Sequence, residues 1–301
     1  LLCSVMGPTG SGKSTFINTA TGAEQAFIGH SLESCTQGVQ AIHYRHPRSN
    51  RDFVFVDTPG FDDTNMDDIA ILSMIADWLE RTYKQKIFPT ALLFLHRITD
   101  NRMPNSALRN LTVFMKLCGA RAFPRVMLVT TMWDEVTVKE GEARETELCN
   151  SSWQAMISAG AGMFRFNQRF YNDSESAHDI LQLATQKGVS DLNQSLLLQR
   201  ERIDYHLHLG ETQAGRALYN DLQRHIVLQT ETLTSLRERV SKSNPQLAKE
   251  LRKEIERLQG QLRASFDQSA QLKTPFLQHF ISLFLPKPKG VRLRFFTIPL
   301  Y

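Results

Sequence analysis

Residues 7–14 read Gly-Pro-Thr-Gly-Ser-Gly-Lys-Ser directly after the apolar run Leu1–Met6, and this junction restricts the fold more than any other stretch of the 301-residue chain. Gly7 and Gly12, with four residues between them and Lys13-Ser14 behind, satisfy the phosphate-binding loop pattern. The glycines permit positive φ, so backbone N–H groups can turn inward and cradle phosphate oxygens at the start of the helix expected over Ser14–Thr21. Gly7, Pro8, Thr9, Gly10, Ser11, Gly12, Lys13, Ser14 and Thr15 are therefore the candidate phosphate-binding residues. Lys13 is placed to neutralise the β and γ phosphates, and the Ser14 hydroxyl to ligate Mg2+.

The strand, loop, helix order set by this motif repeats along the first part of the chain. Short apolar or β-forming runs at Gly38–Tyr44, Phe53–Val56, Ala91–Leu95, Val126–Thr130 and Met163–Phe166 read as strands. Helical periodicity lies between them at Met66–Lys86, Ser106–Leu117 and Glu140–Ile157, with a last helix near Ser176–Leu183. This alternation predicts an α/β fold, a mostly parallel sheet with helices on both faces. The turn His46–Arg51 makes one strand antiparallel.

Three further loops carry chemistry at strand ends. Asp57-Thr58-Pro59-Gly60 follows Phe53–Val56, where a carboxylate can hold Mg2+ through water and the Gly60 N–H can approach a γ-phosphate. Thr130-Thr131-Met132-Trp133-Asp134 matches a Thr/Asn-Lys-x-Asp element except that Met132 replaces the lysine. Asp134 can accept from guanine N1–H and its exocyclic amine, which adenine cannot satisfy, so Thr131 and Asp134 point to GTP or GDP as ligand. Ser34-Cys35-Thr36-Gln37-Gly38 precedes the second strand, and Thr36, with Ser34 as the alternative, is the candidate for holding Mg2+ and the γ-phosphate. The metal set is thus Ser14, Thr36 and Asp57.

Beyond about residue 187 the strands stop. Leu222, Ile226, Leu233, Leu236 and Val240 fit one heptad seam with Gln229 in a core position, and Leu251, Ile255, Leu258 and Leu262 fit another after Pro245. Either a helical layer on the main domain or a protruding coiled coil with its own partner satisfies that pattern. The expected domains are residues 1–186, a helical extension over 187–286, and a disordered tail over 287–301. The apolar run Phe276–Leu285 is too short to span a bilayer. Beside Lys287 and Lys289 it allows peripheral membrane contact, which is less favoured than docking on the protein. Four scattered cysteines suggest neither zinc nor disulfides and fit a reducing, cytoplasmic setting. Net charge +4 without aromatic-interleaved basic motifs argues against nucleic acid. Leu1 lies so close to the loop that residues are expected to precede it.

These motifs resemble the paraseptin branch of Ras-like P-loop GTPases: septins, chloroplast import receptors and immunity-associated GTPases. The nearest likeness is to fungal G-domain proteins with a helical C-terminal extension. The resemblance covers about residues 1–186 and implies a GTP-hydrolysing G domain that dimerises or oligomerises, with Lys13, Thr36 and Gly60 as catalytic groups. The fifth motif, which backs the base, falls around Phe170-Tyr171-Asn172 or Ser176-Ala177. The resemblance also places Arg97, in Leu95-His96-Arg97-Ile98-Thr99, on an arginine that acts across a nucleotide-bridged dimer. Many such GTPases have a water-orienting glutamine after the glycine, where this chain has Phe61, so slow intrinsic hydrolysis is expected. The alternatives are a GTP-holding assembly scaffold that barely hydrolyses, and an ATPase.

Overall fold

The computed structural model describes residues 1–22, 27–28, 39–46, 50–60, 67–101, 103, 105–166, 173–189, 194–242 and 245–272. Thr36, Phe61, Phe170-Tyr171-Asn172, the apolar run Phe276–Leu285 and the tail 287–301 lie outside them.

Among the described residues seven strands, β1 (Leu2–Met6), β2 (Phe27–Ile28), β3 (Gln40–Arg45), β4 (Asp52–Asp57), β5 (Ala91–Arg97), β6 (Val126–Thr131) and β7 (Gly162–Arg165), form one sheet in the order β2-β3-β4-β1-β5-β6-β7. β1 pairs in parallel with both β4 and β5, and β6 and β7 continue the parallel run. β3 is antiparallel to β4, as the few residues between them require, and to β2, a two-residue strand with no counterpart in the sequence reading. The expected α/β fold, a mostly parallel sheet flanked by helices and followed by a helical extension, is what the chain forms.

Helices α1 (Lys13–Thr21), α2 (Asp68–Lys84) and α3 (Asn105–Cys118) follow β1, β4 and β5, and α6 (Asp173–Val189) follows β7. Because side chains alternate along a strand, β5 feeds two cores. Ala91, Leu93 and Leu95 pack with Phe16, Ile17 and Ala20 of α1 and with Ala177, Ile180 and Leu181 of α6. Leu92 and Phe94 face Ile75 and Leu79 of α2 and Phe114 of α3. The single helix expected over Glu140–Ile157 is two, α4 (Val138–Asn150) and α5 (Gln154–Ser158). A turn at residues 151–153 separates them and drives the fully buried Trp153 indole into the core beside His96. Burying so large a ring outweighs continuing the backbone ladder.

The extension begins with α7 (Leu197–Ile203) and continues as the long α8 (Gln213–Ser241) and α9 (Pro245–Gln271). The boundary expected at 186 falls inside α6, three residues before Val189. Leu198, Ala214, Leu218, Leu222 and Leu272 belong to the same core as Leu72 of α2 and Leu117 of α3, so the first part of the extension and the residue after α9 form a third layer. Further along, α8 and α9 pack on each other. The seam residues Leu222, Ile226 and Leu233 of α8 and Leu251 of α9 are buried, and Ser265 of α9 donates to Gln229 at 3.4 Å. Each seam therefore has the other helix of the same chain as its neighbour, and the described helices combine a layer on the domain with a helical pair.

Candidate functional site

The strand order reverses at β1, which lies between β4 and β5, and ligands of open α/β sheets bind at the carboxyl ends of the strands at such a point. The phosphate loop leaves β1 there. Gly7, Gly10 and Gly12 have φ of 145°, 76° and 84°, and Gly12 leads straight into α1, so the loop needs its glycines. Lys13 is buried, and its Nζ donates to the carbonyls of Gly7 and Pro8 at 3.0 Å each. Ser11 is buried, while Thr9, Ser14 and Thr15 are exposed.

Asp57 ends β4 facing this loop. Its Oδ2 accepts from Ser14 Oγ at 3.1 Å, and its buried Oδ1 has no hydrogen-bond partner among the described residues. Burial raises the Asp57 pKa, while the Ser14 hydrogen bond and the Lys13 charge oppose the rise. A hydroxyl beside a carboxylate with an oxygen to spare is the hard-oxygen set that suits Mg2+. Gly60 passes close to the loop: Thr9 Oγ1 donates to its carbonyl at 3.2 Å. A Cβ on Gly60 would stand 2.6 Å from Thr9 N and 2.8 Å from Lys13 Nζ, so only glycine fits.

The loop after β6 is fastened to the glycine-rich loop by Thr131, whose buried Oγ1 donates to the Ser11 carbonyl at 3.0 Å. Met132 follows in the left-handed region with φ 60°, and Asp134 is exposed in the short 3-10 turn Trp133–Glu135. Trp133 anchors that turn: its Nε1 donates to Thr130 Oγ1 at 3.0 Å, and the Arg165 guanidinium stacks 4.3 Å from its ring centre. Arg165 is itself held by Glu145, to which its Nε donates at 2.9 Å. Ser176 Oγ donates to the Arg165 carbonyl at 3.2 Å, and Ala177 is buried within α6.

Arg97 ends β5 beside the same loops. Its Nη2 lies 3.3 Å from Asp100, and its Nη1 is 3.5 Å from where a Gly10 Cβ would stand. Arg144 fixes the segment after it by donating to the Ile98 and Thr99 carbonyls at 3.0 and 3.2 Å. Sequence reasoning missed Arg144, Arg165 and Glu145, because their partners are distant in the chain and no local pattern marks them.

His96, between Leu95 and Arg97, is buried with its Nδ1 unpartnered among the described residues. Burial, opposed by Asp100 and reinforced by the Arg97 charge, lowers its pKa from 6.5 to about 4. The unfolded chain therefore binds a proton between those values that the folded chain does not. Stability is fully present above pH 6.5 and falls as pH drops towards 4, by about 3 kcal/mol. Denaturant unfolding at pH 7 and pH 4.5 measures this loss, and His96→Phe should flatten the difference.

Residues 3–123 match the family model for 50S ribosome-binding GTPases, a stretch that holds the phosphate loop, Asp57 and Gly60. No curated protein sequence matches the chain. Among solved structures, Toc33 from Arabidopsis thaliana in complex with Mg2+ and GMPPNP aligns with 15% identity and TM-score 0.48, over 64% of this chain and 86% of that one. A structure of the chloroplast translocon components atToc33 and psToc159 aligns with 13% identity and TM-score 0.49, over 64% and 84%. The translation elongation factor SelB from Methanococcus maripaludis aligns with 11% identity and TM-score 0.41, over 64% of this chain and 34% of that one.

Proposed function

We propose that the protein binds GTP with Mg2+ and hydrolyses it to GDP and phosphate as a molecular switch, with G-domain dimerisation completing the catalytic site. The observation that carries this reading is the tie from Thr131 to Ser11, which fixes the base loop to the phosphate loop while Asp57 meets Ser14 at the other end. Guanine recognition is assigned to Asp134. Lys13 exchanges its two loop carbonyls for β and γ phosphate oxygens, and the Gly60 N–H approaches the γ-phosphate. Ser14, Thr36 and Asp57 are the residues that would hold Mg2+, which would neutralise phosphate charge there. Water attacks the γ-phosphorus as the bond to the β–γ bridging oxygen breaks, and the proton ends on the released phosphate.

Phe61, next to Gly60, cannot orient that water, which supports slow turnover in a single protomer. The same residue favours the second reading, a scaffold that holds GTP or GDP with negligible hydrolysis. In this proposal the G domain runs to the end of α6 at Val189, and the helices from α7 onward are the extension that responds to nucleotide. Phosphate release from GTP, with ATP as control, is measured across a wide protein concentration range. Turnover per protomer should rise with concentration for GTP alone. Tight GTP binding without turnover would favour the scaffold, and preference for ATP would overturn the role of Asp134.

A further inference from the structure

Arg97 stands between the two loops that a guanine nucleotide must join. β5 pairs with β6 so that Arg97 lies opposite Thr131, the residue bonded to Ser11 of the phosphate loop. Its Nη1 stands 3.5 Å from where a Cβ on Gly10 of the same protomer would lie. Strand alternation puts Arg97 on the α1 side with Leu93 and Leu95, the side on which the phosphate loop enters its helix. At the base loop, Met132 has no charge, and its Sδ lies 4.0 Å from Thr99 Oγ1. β5 thus carries a cation beside both loops.

From this juxtaposition we infer that Arg97 grips the nucleotide of its own protomer, its guanidinium taking the place of the cation missing at Met132. The inference rests on the guanine-nucleotide reading above and differs from the role in trans that the resemblance implies. A planar guanidinium can lie against the face of a purine, an interaction open to arginine and closed to methionine. The pair with Asp100 at 3.3 Å holds the guanidinium at the loops of its own protomer.

The test is GDP affinity with Mg2+, measured at protein concentrations where light scattering shows monomers. Arg97→Ala should weaken GDP binding about tenfold. Arg97→Gln, which keeps a hydrogen-bonding side chain beside Asp100, should weaken it similarly, and Met132→Lys added to Arg97→Ala should restore most of the loss. Thermal midpoints of the nucleotide-free variants check that each is folded. Unchanged GDP affinity in the folded Arg97 variants, with loss only of the concentration-dependent rise in turnover, would overturn the inference and return Arg97 to the partner's site. A wild-type protein that binds no GDP would overturn the guanine reading itself, a result distinguishable from the first.

Discussion

Replacing Arg109 by methionine is expected to destabilise the protein by about 3–5 kcal/mol. Arg109 on α3 is nine-tenths buried and joins two carboxylates from different layers, Asp68 at 2.8 Å in the first turn of α2 and Asp221 at 3.3 Å on α8. Both carboxylates are shielded from water, so removing the cation strips them of a charge partner that solvent cannot replace. Asp221 keeps Arg224 at 3.3 Å, whereas Asp68 loses this cation and retains the favourable N-terminal end of α2. Denaturant unfolding of Arg109→Met reads the loss. Adding Asp221→Leu should recover part of it, because one of the two buried charges goes with the arginine. A midpoint unchanged by Arg109→Met would mean that this bridge contributes nothing to holding the extension on the domain.

Lys13→Ala is expected to lower GTP turnover by roughly 10²–10³-fold. The Lys13 ammonium lies within the loop, 2.8 Å from the position a Gly60 Cβ would take, and no other lysine stands in residues 1–22. Its ammonium donates to two carbonyls of its own loop, those of Gly7 and Pro8, so the effect on folding should be small beside the effect on turnover. Phosphate release and unfolding measured on the same preparation separate the two. Turnover surviving in Lys13→Ala would remove this loop from the reaction.

The features legible along the chain are those whose causes are local. Strand β1, the phosphate loop and α1 follow from an apolar run, three glycines with positive φ and a helix start, all between Leu2 and Thr21. Asp57 and Gly60 are legible because a β-forming run ends there, and Asp134 because its motif sits at the end of β6. The heptads of α8 and α9 are legible as seams, though not what they cover. Where distant groups meet is set only by the finished fold. The break between α4 and α5 exists because Trp153 packs beside His96, a partner on a different element of the sheet. Arg97 gains its place from its pairing with Thr131 and from Gly10, and Arg109 gains its two carboxylates from helices before and after it. Local propensity comes from neighbours along the chain, whereas burial and charge pairing depend on which surfaces folding brings together.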